Sequence, residues 1–314
     1  MNLKRILGML LVAALVGLTV ACTPASSTSP NEETGIQIYT SIYPVYDFTS
    51  RIVGDRANVK LMIPPGTSTH GWEPSMGDIV KLEKADVFIY HGAGIEHWVA
   101  ATLSSLENPH LTIVEASQGI DLLTADTADS HDDADDDGHV DTLHGHDAVD
   151  PHVWLDPHNV IREAENIRDA MILVDPDGAS TYRSNCAAFI ADLEALDRDF
   201  KETLTDLTHT TIVVGHKAFT YMCHAYGLTQ MAVEGLTPNS EPGPGRMKEI
   251  IDFLREQDVK TIFFEQAYST KSIQAIADEV GAEIRVLSPF EGLDEKDYIT
   301  VMRANLHELS EALR

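Results

Sequence analysis

From Ile36 onward, short apolar, β-branched runs alternate with stretches in which apolar residues recur at helical spacing. Ile36 to Thr40, Val59 to Ile63, Val87 to His91 and Thr112 to Glu115 read as strands, with amphipathic stretches between the first three and after Trp98. Asn159 to Leu173 reads as a helix that Pro176 and Gly178 end. A longer helical pattern follows from Thr181 to about Leu207, with Phe189, Leu193, Leu196, Phe200 and Leu204 on one stripe. The alternation then resumes. Ile212 to Gly215, Gln230 to Val233, Thr261 to Glu265 and Ile284 to Leu287 are expected strands. Helices are expected at about 217–226, 245–257, 270–280 and 295–313, with Ser269 or Thr270 as a cap and Gly281 as a stop. Strands alternating with helices imply parallel sheets covered by helices. The fold class is therefore α/β, with two Rossmann-like lobes joined by a long stiff helix and a cleft between them.

The expected division is an N-terminal lobe over 36–178, a linking helix over 179–208 and a C-terminal lobe over 209–314. A length of 314 residues suits two domains. Ahead of them, Lys4 and Arg5 precede an uncharged apolar run from Ile6 to Ala21 that ends at Cys22. That is the pattern of a lipoprotein signal over 1–22, in which the Cys22 thiol is acylated; an uncleaved membrane anchor is the alternative. Residues 23–35 read as a flexible tether. Both readings place the body outside the cytoplasm. Cys186 and Cys223 are read as buried free thiols in preference to a disulfide.

The net charge of −28 is concentrated: eleven aspartates and no Lys or Arg lie between Asp121 and Asp150. Such a chain repels nucleic acid and anionic membrane surfaces and attracts cations. The same segment carries His131, His139, His144 and His146, so it reads as a surface loop that collects metal at low affinity.

Candidate ligands of a tight site are His70, His152, His216 and Glu265, each at an expected strand end or in the loop after one. Two from each lobe would close a four-coordinate site. Three imidazoles and one carboxylate suit zinc, whereas manganese favours more oxygen. His91, Glu96, His97, His158 and His224 are left as ordinary polar residues, His158 with an outer contact open to it. No His-Glu-x-x-His pair and no general base beyond the ligands is evident, so the chain is not expected to be an enzyme.

Several motifs together resemble the metal-binding lipoproteins of zinc and manganese ABC importers, the ZnuA-like or cluster A-I solute-binding family. They are Pro64-Pro65-Gly66 leading to His70, Trp72-Glu73-Pro74-Ser75, the run from Asp150 to Pro157 around His152, Gly215-His216-Lys217-Ala218-Phe219, Glu234-Gly235-Leu236, and the run from Leu287 to Leu293. The resemblance implies ligands at His70, His152 and His216. For the fourth, some members use an aspartate after the last strand, where this chain has Ser288; others use a glutamate in a stretch like Phe263-Phe264-Glu265-Gln266, which implies Glu265, with water or a loop residue as the other option. The implied function is capture of Zn2+, carried as the transported ligand, outside the cell by a lipid-anchored monomer. It would then pass to a membrane permease with its cytoplasmic ATPase. A manganese-binding importer component (Mn2+) and a surface adhesin are the alternatives.

Overall fold

The computed structural model describes residues 35–124, 149–236, 242–265, 271–292 and 296–314. The signal sequence with Cys22, the tether up to Thr34, the four histidines His131, His139, His144 and His146, and the proposed caps Ser269 and Thr270 lie outside the described residues.

Strands β1 (Ile36–Thr40), β2 (Ala57–Leu61), β3 (Val87–Tyr90) and β4 (Thr112–Glu115) form one parallel sheet in the order β2-β1-β3-β4. Strands β5 (Thr211–His216), β6 (Thr229–Glu234), β7 (Thr261–Phe264) and β8 (Glu283–Val286) repeat that order as β6-β5-β7-β8, again all parallel. Two α/β lobes of one topology result. In each, chain direction across the sheet reverses beside the first strand, so a crevice opens beyond the carboxyl ends of β1 and β3 and of β5 and β7.

Helix α1 (Tyr43–Val53) and α2 (Met76–Leu82) follow the first two strands, and α3 (Val99–Ser105) lies between β3 and β4. Ser75 starts α2 with a reciprocal cap, its hydroxyl accepting from the Asp78 N–H while the Asp78 carboxylate accepts from the Ser75 N–H. Helix α4 (Pro157–Val174) begins with Pro at its first position and Asp156 as cap, and turns Val160, Ala164, Ile167 and Met171 inward at spacings of three and four. A 3-10 turn at Pro176–Gly178 separates it from α5 (Ala179–Thr203), the 25-residue helix that joins the lobes.

The expected stripe on α5 is buried: Phe189, Leu193, Leu196 and Phe200 enter one apolar cluster that reaches Ile38 and Phe48 on one side and Ile212, Met302 and Leu309 on the other. Burying that stripe removes helix and lobes from water together, at about 1.5–3 kcal/mol per large side chain. Helices α6 (Thr220–Tyr226), α7 (Pro244–Glu256), α8 (Lys271–Val280) and α9 (Tyr298–Ala312) complete the second lobe. Gly281 stands just past α8 at φ 70, a left-handed stop.

The second strand is displaced from its expected span. Val59 to Ile63 is the apolar run, but Ala57 and Asn58 pair with Ile36 and Gln37 and start the ladder two residues earlier. Pairing to β1 sets the boundary, and Met62 and Ile63 are buried while their N–H groups still donate to the Thr40 and Ser41 carbonyls. Cys186 and Cys223 are both free and buried.

Candidate metal centre

Four loops or strand ends converge in the crevice. The chain leaving β2 passes Pro64, Pro65 and Gly66, which takes φ 80, and enters a 3-10 turn at Thr69–Gly71 that presents His70. His152 precedes a second 3-10 turn, Val153–Leu155, whose three residues are fully buried. His216 is the last residue of β5. Glu291 lies in the turn that follows β8, between Phe290 and Gly292.

One ligand atom from each of His70, His152, His216 and Glu291 lies within 4.8 Å of all the others. Glu291 Oε1 stands 3.6 Å from His70 Nε2, 3.2 Å from His152 Nε2 and 3.8 Å from His216 Nε2. The Nε2 atoms of His70 and His152 are 3.3 Å apart. A tetrahedral ion bound at about 2.0–2.1 Å from each donor requires donors separated by about 3.3–3.4 Å, so these spacings bracket a tetrahedron around zinc. All four side chains are nearly closed to solvent, at 6% exposure or less.

Glu265 is not among the converging donors. It follows β7, the strand beside β5, and its carboxylate therefore reaches His216 from within its own lobe, contacting Nδ1 through Oε2 and the backbone N–H through Oε1 at 3.3 Å. His216 is left with Nε2 facing the opposite lobe. Asp150 does the same for His152: Oδ1 accepts from the backbone N–H at 2.9 Å and stands 2.7 Å from Nδ1. One buried carboxylate in each lobe thus holds an imidazole on its Nδ1 edge, which fixes the ring and directs Nε2 into the crevice.

The second lobe also grips the first. The Tyr221 hydroxyl accepts from the Leu123 N–H at 2.9 Å and donates to the Asp150 carbonyl at 3.0 Å. In return, Trp154 Nε1 of the first lobe donates to the Pro289 carbonyl at 2.7 Å, and the Tyr298 hydroxyl donates to the Trp154 carbonyl at 2.7 Å.

Electrostatically the crevice favours a proton on His152. Burial alone would lower the pKa of His152, but Asp150 on one edge and Glu291 on the other push it up to about 10. Burial would raise the carboxyl of Glu291, yet hydrogen bonds and charge from the histidines hold it well below the usual range. Without an ion, the site is a carboxylate paired with an imidazolium, and a cation entering it must expel that proton.

Of the residues set aside, His97 and Glu73 form an exposed pair at 3.5 Å and His224 is exposed. His158 is exposed in the first turn of α4 and makes no outer contact to the site; Asp150 and Glu265 fill that place. His91 and Glu96 are buried in a separate polar network under the His152 loop. The fourth converging side chain is Glu291, a loop residue, the kind of donor expected as the second option to Glu265. Its signal in the sequence is an acid between Phe290 and Gly292 in the turn after the last strand, within the run from Leu287 to Leu293. Ser288 instead exchanges backbone hydrogen bonds with the Asn305 side chain, at 2.9 and 2.7 Å.

The chain is similar to known proteins over most of its length. It is 36% identical over 310 residues to the zinc-binding protein AdcA of Streptococcus pyogenes, an alignment covering 96% of this chain but 60% of that protein, so it spans less than two thirds of this relative. It is 34% identical over 318 residues to the high-affinity zinc uptake system protein ZnuA of Bacillus subtilis, covering 99% of this chain and 98% of that one. The Zn(II)-bound ZnuA-like domain of Streptococcus pneumoniae AdcA superposes with a TM-score of 0.75 at 33% identity, covering 89% of this chain and 99% of that structure. The family model described as "Zinc-uptake complex component A periplasmic", an uptake component and not an enzyme, matches residues 38–312. With its twin parallel sheets, its bridging helix and this match over nearly all the described residues, the chain belongs to the zinc-uptake complex component A family.

Proposed function

We propose that this chain captures Zn2+ outside the cytoplasm and delivers it to an ABC-type importer, with His70, His152, His216 and Glu291 as the ligands. The observation that carries this reading is the convergence of three Nε2 atoms and one carboxylate oxygen at near-tetrahedral spacing in a closed crevice. Zinc accepts that donor set and number, while manganese prefers more oxygen and lies lower in the affinity order for first-row ions. In this reading acylated Cys22 tethers the chain to the membrane and the acidic, His-bearing segment 121–150 raises the local cation concentration. The ligand His216 and the ligand Glu291 come from the second lobe, so release to a permease requires drawing these two away from His70 and His152.

Binding must displace the proton that His152 holds at neutral pH. Zinc titrated calorimetrically into the metal-stripped chain should give one tight site. Repeating the titration in two buffers of different ionisation enthalpy should show release of about one proton per ion at pH 7–8, and affinity that falls as the pH is lowered. His70→Ala, His152→Ala and His216→Ala should each weaken binding by more than about 100-fold, beyond the 10–100-fold typical of losing an outer contact. Unchanged affinity in all three, or manganese displacing zinc at equal concentration, would defeat the proposal. Receptor binding that survives loss of these ligands would instead favour the adhesin reading.

A further inference from the structure

Glu291 has two carboxylate oxygens, and they face different partners. Oε1 is the atom directed at the three imidazoles. Oε2 accepts a hydrogen bond from the Thr69 hydroxyl at 3.3 Å. Thr69 belongs to the first lobe, is adjacent to His70 and is 3% exposed, so a ligand-bearing turn of one lobe holds the ligand of the other.

The loop carrying Glu291 has little freedom to rotate the carboxylate away. Trp154 Nε1 anchors the Pro289 carbonyl, and the Phe290 N–H donates to the Ser288 hydroxyl at 3.1 Å. Phe290 is fully buried at φ 60, a left-handed conformation that a bulky residue keeps only when its surroundings enforce it. Gly292 takes φ 104, and a Cβ there would lie 3.0 Å from the Tyr43 Cβ.

We infer that Thr69 is a specificity-determining residue: by engaging Oε2 it holds Glu291 as a one-oxygen donor and keeps the bound ion four-coordinate. The inference rests on the zinc reading above. A carboxylate with both oxygens available can bind a dication through one or through two. The second oxygen would make a fifth bond, which suits ions that favour oxygen-rich shells and offers zinc little. A neutral hydroxyl on Oε2 leaves the carboxylate its charge while steering which oxygen coordinates.

Cobalt(II) is a suitable probe, because its visible bands are several-fold stronger in tetrahedral than in five- or six-coordinate sites. The unaltered full chain loaded with cobalt should show the strong spectrum. Thr69→Val, which keeps the shape and removes the hydroxyl, should show bands several-fold weaker and a zinc-over-manganese preference reduced by about 10–100-fold. Thr69→Ser should restore both. A Thr69→Val spectrum and metal preference equal to those of the unaltered chain would overturn this inference alone. Should Thr69→Val not fold, X-ray absorption on the zinc-loaded unaltered chain decides the matter: four nitrogen and oxygen neighbours support the inference, and five overturn it. If the unaltered chain takes up neither cobalt nor zinc, the zinc reading falls as well.

Discussion

Glu291→Ala should weaken zinc binding by more than about 100-fold, and Glu265→Gln by about 10–100-fold, the range expected for an outer partner. The two acids differ in what they touch. Glu291 Oε1 is within 3.8 Å of all three Nε2 atoms, so its removal leaves three nitrogens and an opening to water. Glu265 contacts the Nδ1 edge and backbone of His216, and replacing it with the neutral amide leaves all four donors in place while loosening one ring. A competition titration against a chelator of known affinity, with circular dichroism confirming the fold, measures both. The reverse order, with Glu265→Gln the more damaging, would return the fourth coordination place to Glu265 and require the Glu291 loop to move on metal binding.

That pair of residues also shows how far the sequence could be read. The twin α/β lobes were legible because strand and helix periodicities differ strongly and repeat in the same order, and the joining helix because its apolar stripe runs unbroken from Phe189 to Phe200. His70, His152 and His216 could be picked out because the motifs around them resemble those of the zinc-importer family, at strand ends where parallel sheets place ligands. Choosing between Glu265 and Glu291 needs strand order and side-chain direction. Glu265 follows the strand adjacent to β5 and is therefore a lateral neighbour of His216; Glu291 reaches across the crevice because the turn after β8 is pinned to Trp154, 135 residues earlier in the chain. Contacts of that kind leave no periodic trace. Nor does the partnership of Asp150 with His152 announce itself, since two residues apart in a loop predicts nothing about a shared hydrogen bond until the 3-10 turn is formed.

The largest effect on stability is expected from the network beneath that loop. His91, at the end of β3, and Glu163, on α4, are both fully buried, with His91 Nδ1 2.9 Å from Glu163 Oε1. The other nitrogen, Nε2, is 2.9 Å from the Pro151 carbonyl. Glu96 accepts from the backbone N–H groups of His91 and Gly92, at 2.7 and 2.9 Å, and from the Ser41 hydroxyl. Burial would lower the pKa of His91, but Glu163 and then Glu96 raise it by charge, and the net shift is upward. The ring thus sits between the Pro151 carbonyl on one edge and the Glu163 carboxyl on the other.

Replacing it by leucine leaves the Glu163 carboxylate buried without its cation, which should cost about 3–5 kcal/mol; replacing both His91 and Glu163 by leucine should recover most of that. A group whose folded pKa exceeds its unfolded one stabilises fully below the unfolded value and stops doing so as the pH rises through the folded value. The stability gap between the unaltered chain and the double variant should therefore move in favour of the double variant at alkaline pH. Urea unfolding followed from pH 6 upward reads both effects, provided the slope with denaturant is unchanged. A His91→Leu chain as stable as the unaltered one would mean that the pairing of His91 with Glu163 does not support the loop. If the ion pair is present, the double variant should also bind zinc about 10-fold or more weakly, because the Pro151 carbonyl beside His152 keeps its Val153 N–H but loses the His91 imidazole.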